Sequence, residues 1–118
     1  MSFHRGDVLI ARFPNADGSP PKVRPVLVVQ ADSYNARIKN LIVAGITSNL
    51  RHASDSASFL IDVGNPDGKS SGLVQNSVVS CINLATIADK HVARKIGRLS
   101  TPLLLRIDEC LKTALELT

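Results

Sequence analysis

The strongest constraint on this chain is its punctuation. Short runs of Val, Leu and Ile recur along it, and none exceeds about eight residues before a Pro-, Gly- or Asn-rich break. Val8–Phe13 ends at Pro14, and Pro25–Gln30 opens on a proline, which suits the first position of a strand. Asn40–Thr47 and Ser58–Val63 follow, then Ser77–Cys81 and Asn83–Ile87 as two short strands or one bent one, and Val92–Leu99. Runs this short cannot be long helices and suit β-strands. Asp32-Ser33-Tyr34-Asn35 is able to start a single helical turn, Leu50–Ala57 reads as a polar loop, and 64–72 reads as a plain loop.

The C-terminal segment has a different period. Leu103, Leu104, Ile107, Leu111, Ala114, Leu115 and Thr118 repeat at helical spacing, behind a Thr101-Pro102 start with Thr101 as N-cap. Six or seven short strands followed by one helix predict a mainly β domain: a small antiparallel barrel carrying a C-terminal helix. At 118 residues the chain is expected to be a single domain, 1–118, and 44% hydrophobic content is enough for a real core.

Composition narrows the function. No apolar run is long enough to span a membrane, and the first residues lack the apolar stretch of a signal peptide, so a cytoplasmic location is expected. Cys81 and Cys110 lie in apolar surroundings without metal-ligand spacing and read as buried, reduced thiols. The three histidines form no zinc or catalytic-dyad pattern, and no cofactor motif is present. A net charge of +4 favours polyanionic partners. With only 3% aromatic residues, any nucleic acid would be held through phosphate contacts and hydrogen bonds, without a base-stacking platform.

Two segments suggest where. The loop Asp17-Gly18-Ser19 to Lys22 delivers Arg24 to the mouth of an apolar strand. A residue before proline is held extended, so this guanidinium is aimed, and it forks onto phosphate oxygens. The run Leu41–Ala44 ends in Thr47, Ser48 and Asn49, hydrogen-bonding groups able to face that cation. Arg51 and His52 follow in a basic loop, and Asn76, Ser77 and Asn83 flank later strands. Asn83 can read a base edge through its amide. Each has a plainer alternative: a surface arginine, strand-end capping, a satisfied amide. Arg94, Lys95 and Arg98 form a basic strand face, alternatively a merely solvated one.

Taken in order, Arg5-Gly6-Asp7-Val8, Asp17-Gly18-Ser19, Arg24-Pro25-Val26-Leu27-Val28, Ile46-Thr47-Ser48-Asn49, Ser77-Val78-Val79, Asn83–Ile87 and Arg94–Ser100 resemble the MazF/PemK (Kid) family of toxin–antitoxin ribonucleases over nearly the whole chain. The resemblance implies an SH3-like barrel close to that of the CcdB gyrase poisons. It further implies a homodimer and metal-independent endonucleolytic cleavage of single-stranded RNA, commonly to a 2′,3′-cyclic phosphate and a 5′-hydroxyl. It implies an antitoxin whose acidic segment occupies the RNA groove. The family's catalytic arginine and threonine match Arg24 and Thr47; Ser19, Lys22, Ser48, Asn49, Arg51, His52, Asn76, Ser77 and Asn83 are the expected RNA contacts, with no metal or cofactor. Pro20 and Pro21 stand where many members carry a glutamate, and Ala85 where many carry arginine. The alternatives are a non-enzymatic protein-binding toxin of the gyrase-poison type and a degenerate RNA-binding member.

Overall fold

The computed structural model describes residues 2–117. Six strands, β1 (Asp7–Phe13), β2 (Lys22–Val28), β3 (Asn40–Thr47), β4 (Ser58–Ile61), β5 (Ser77–Ala88) and β6 (Val92–Arg98), form one antiparallel sheet in the order β4-β5-β3-β2-β1-β6. Helical turns α1 (Asp32–Asn35) and α2 (Pro66–Lys69) sit in connections, and α3 (Thr101–Leu115) closes the chain. The expected mainly β fold with a C-terminal helix is present; among the described residues the edge strands β4 and β6 share no ladder, so the barrel is open there. No described helix is long and apolar enough to cross a membrane.

Alternation along the strands builds two cores, one on each face of the sheet. Val8, Leu27, Ala44, Ile46, Phe59 and Val79 pack with Leu103, Ile107 and Cys110 of α3. Their neighbours Leu9, Val26, Val28 and Val43 turn the other way and gather with Phe3, Phe13, Leu41 and Ile87. Burial on both faces is why these strands read as unbroken apolar runs instead of alternating ones. Cys81 and Cys110 are buried and unbridged, and burial pushes the Cys81 thiol up to about 12.

The differences from the sequence reading have local causes. β2 begins at Lys22, so Pro25 lies inside the strand. It is accommodated because β2 pairs with β3 only from Val26 onward, leaving Lys22–Pro25 an edge on that side. The 64–72 loop contains α2, whose N-cap Asn65 accepts from the Gly68 amide. Ser77–Ala88 is one strand, with a bulge: Ala44 pairs with Leu84 but Gly45 with Ser80, so Cys81, Ile82 and Asn83 have no partners on β3. The N-cap of α3 is Ser100, not Thr101, since the Leu104 amide bonds the Ser100 carbonyl. Leu115 lies outside the buried stripe at 52% exposure, Cys110 lies inside it, and Thr118 falls outside the described residues. The basic face of β6 is divided, because Lys95 reaches across to the buried carboxylate of Asp7 at 3.1 Å.

Candidate nucleic-acid interface

The β2–β3 ladder stops at Val26 opposite Gly45. Two residues further on each strand, on the same face, stand Arg24 and Thr47. There the strands are no longer bonded, and a groove of about 500 Å³ opens between them. Arg24 and Thr47 line it together with Asn49 and His52 from the β3–β4 connection and Asn83 from the β5 bulge.

Arg24 is half-buried. Its Cζ lies 5.8 Å from the centroid of Phe13, a cation–π contact that keeps the guanidinium near the ring. Nη2 has one long contact, 3.4 Å, to Asn15 Oδ1, and Nε is buried with no acceptor. A guanidinium carries five N–H donors, so most of its capacity is uncommitted. Leaving such a donor buried and unpaired costs about 1–3 kcal/mol, a cost that an anionic ligand relieves.

The other wall is held by its own turn. Thr47 Oγ1 accepts from the Asn49 amide at 3.1 Å, and Asn49 Oδ1 accepts from the Arg51 amide at 3.0 Å. The Thr47 hydroxyl proton remains free to donate outward. Asn83 reaches the groove because the bulge pushes it out of the ladder and its side chain lies over Gly45, where a β-carbon would come within 2.8 Å of Nδ2.

Of the sequence-expected site residues, Arg24, Thr47, Asn49, His52 and Asn83 converge in this groove. Lys22 and Arg51 are exposed beside it in sequence but do not line it. Ser19 is engaged within its loop, its amide and hydroxyl both donating to Asp17 Oδ1, which holds the Asp17 carboxyl below the usual carboxylate range. Asn76 Oδ1 accepts from the Val63 amide, and the buried Ser77 hydroxyl donates to the Gln75 carbonyl. Ser48 points elsewhere, into a small hollow with Pro25 and Ser77.

Asp55, Ser58, Val78, Ser80 and Ile82 also line the groove and were not among the expected residues. Ser58 and Ser80 face each other across β4 and β5. Their signal was a polar residue within an apolar run, on the same parity as Thr47 once β3 is paired with β5.

The comparisons agree with this architecture. Residues 4–115 match the family model described as the PemK-like, MazF-like toxin of type II toxin–antitoxin systems. Endoribonuclease EndoA of Bacillus subtilis is 33% identical over 118 residues, covering 99% of this chain and 97% of that protein. Endoribonuclease MazF6 of Mycobacterium tuberculosis is 30% identical over 119 residues, covering 99% of this chain and all of that one. Among solved structures, the M. tuberculosis toxin MazF-mt6 superposes with a TM-score of 0.76 at 30% identity, covering 95% of this chain and 98% of its own. A mycobacterial endoribonuclease in complex with its cognate antitoxin shares the fold at a TM-score of 0.79 and 19% identity, covering 99% and 98%. The chain therefore belongs to the PemK/MazF toxin family of type II toxin–antitoxin systems.

Proposed function

We propose that this protein is a sequence-specific, metal-independent endoribonuclease that cuts single-stranded RNA in the Arg24–Thr47 groove and is neutralised by a cognate antitoxin. The observation that carries the reading is the meeting of Arg24 and Thr47 where the β2–β3 ladder ends. Support comes from full-length relatives at 30% and 33% identity that are named endoribonucleases.

In cyclising cleavage the 2′-oxygen gives up its proton to water and attacks phosphorus as the bond to the 5′-oxygen breaks. That oxygen takes a proton from water to leave as a hydroxyl, and negative charge grows on the phosphoryl oxygens in between. Arg24 answers that charge with donors it does not spend within the protein. Thr47 donates a hydrogen bond from its hydroxyl to the scissile phosphate, or orients the 2′-hydroxyl. Asn83 reads a base edge, and Asn49 and His52 bind the strand beside it. Lys22 and Arg51 add phosphate contacts. The products are a 2′,3′-cyclic phosphate and a 5′-hydroxyl. The reading includes a cytoplasmic site of action. It also includes a homodimer, for which Leu105, Leu115 and Leu117, all more than half exposed on or just beyond α3, offer apolar surface.

The test is incubation of purified protein with a mixed-sequence RNA in EDTA, with fragment ends mapped. Cutting at one short motif with cyclic-phosphate ends is expected. Intact RNA, together with gyrase-dependent breaks in DNA, would replace this reading with the protein-binding one.

A further inference from the structure

We infer that Asp55, with the hydroxyls of Ser58 and Ser80, selects a guanine base beside the cleaved linkage; the inference rests on the endoribonuclease reading. All three residues line the groove that holds Arg24 and Thr47. Strand pairing puts the two serines on the same face of the sheet as that pair. Val26 pairs with Gly45, Gly45 with Ser80 and Ser80 with Ser58, one row across β2, β3, β5 and β4. Arg24 and Thr47 stand two residues beyond Val26 and Gly45 on their strands, so they share the face of that row. Neighbouring strands lie about 4.8 Å apart, which places Ser80 and Ser58 about 5 and 10 Å across the sheet from β3. That is within reach of the nucleotide adjoining a phosphate held at Arg24. Asp55 closes the β4 side of the groove from the β3–β4 connection.

Asp55 is the one acid among the residues lining the groove, so the groove is polarised: a cation on its β2 side, a carboxylate on its β4 side. Like charges repel, and the phosphates of a bound strand keep to Arg24 while a base faces Asp55. The Asp55 amide donates to the His52 carbonyl, the Ser58 amide to the Asp55 carbonyl, and the Cys110 thiol to the Ser58 carbonyl. These contacts use backbone atoms of Asp55 and Ser58. Among the described residues, the side chains of Asp55, Ser58 and Ser80 make no hydrogen bond, and Asp55 makes no ion pair. Arg106, which borders a neighbouring hollow with Asp55, lies instead over the Phe59 ring at 5.2 Å. Val78, together with Ile82, 70% exposed on the bulge, gives the face of a base apolar contact. A carboxylate accepts at two oxygens and donates nothing, whereas a hydroxyl also donates. In a single strand the Watson–Crick edge is open to such groups. Guanine presents N1–H and its 2-amino group side by side, matching the two carboxylate oxygens, with O6 next to them for a serine hydroxyl. Adenine and cytosine offer an amino N–H beside a bare ring nitrogen, which would face a carboxylate oxygen. The single ring N–H of uracil lies between two carbonyls.

The test begins with wild-type cleavage of a mixed-sequence RNA and mapping of the fragment ends. The motif is expected to contain a guanine beside the cut. Replacing that guanine by inosine, which lacks only the 2-amino group, should lower kcat/KM about 10- to 100-fold, the effect of one hydrogen bond to a charged acceptor. An amide at position 55 cannot accept both N–H groups and can itself donate. Asp55→Asn should therefore treat guanine and inosine alike and tolerate uracil at that position, with the other positions of the motif unchanged. Asp55 is exposed, so circular dichroism and Tm of the variant should match the wild type. A motif without guanine would overturn the inference, as would an Asp55→Asn protein that keeps the wild-type motif and the inosine penalty. A folded Asp55→Asn protein that cuts no RNA would overturn it too, because the residue would then serve the chemistry and not the reading of the base. Intact RNA with the wild type is a separate outcome: it would sink the endoribonuclease reading, and this inference with it, before any Asp55 variant is made.

Discussion

Replacing Gly45 with alanine separates the site from the fold. Gly45 lies on β3 beneath the Asn83 amide, without the positive φ that would demand glycine. An added β-carbon would sit 2.8 Å from Asn83 Nδ2 and 3.4 Å from Phe13 Cζ. The second distance is an ordinary contact, so the Phe13 ring need hardly move. The first is not, and Asn83 must swing away by roughly 1 Å to restore carbon–nitrogen contact, which the exposed end of an unpaired bulge can do cheaply. Gly→Ala at a compatible backbone position gains about 0.4–1 kcal/mol from the unfolded state, which offsets the small steric cost. Stability should therefore change by about 1 kcal/mol or less. Displacing a substrate-positioning group by about 1 Å can cost on the order of 100-fold in rate. The assay pairs urea denaturation with kcat/KM on an RNA carrying the mapped motif. A wild-type midpoint with a sharply lowered rate or an altered motif is expected. Wild-type cleavage of the same motif would refute the role given to Asn83, and a large loss of stability would refute the packing argument.

Four further outcomes follow from the same structure. Thr47→Ala should lower the cleavage rate by about 10²–10³ while RNA binding in a gel-shift assay persists, because one preorganised donor is lost. Ile107→Ala, removing a side chain that is 1% exposed between α3 and the sheet, should cost about 2–5 kcal/mol in denaturant unfolding. Asp7→Ala removes the acceptor of the His4 amide and the partner of Lys95, and should lower stability by about 1.5–3 kcal/mol, read as a fall in Tm. The folded chain keeps the Cys81 proton up to about pH 12, whereas an unfolded thiol loses it near 8.5. The thiol's contribution to stability is therefore complete below about pH 8.5 and declines as pH rises toward 12. Alkylation of Cys81 should accordingly be slow in the native protein at pH 8 and fast in denaturant.

What the sequence showed depended on whether the information was local. β3 was legible to the residue, Asn40–Thr47, because the apolar run Leu41–Ile46, with β-branched Ile42, Val43 and Ile46, stands between polar residues. Arg24 and Thr47 stood out because each is a polar residue at the end of an apolar run. Their juxtaposition is a matter of register, which a single strand does not carry. The bulge at Cys81–Asn83 was half-legible: the pattern broke at Ile82, but whether the break was a turn or a bulge depends on how β3 pairs. Ser58 and Ser80 were missed because their meaning lies in sharing a face with Thr47, and Asp55 because its loop has no periodicity to read. Ser77 and Asn76 looked like site residues for the same reason that Asn83 did, yet their polar atoms are engaged within the protein. Composition cannot distinguish a satisfied amide from an available one.

The most direct test of the central claim is cleavage of a mixed-sequence RNA by wild-type and Arg24→Ala proteins side by side, in EDTA, with circular dichroism and Tm recorded for both. The account predicts cutting at one short motif by the wild type and no detectable cutting by a folded Arg24→Ala protein. Equal cutting by the two would contradict it, because the groove at the end of the β2–β3 ladder would then not be where the phosphodiester is broken.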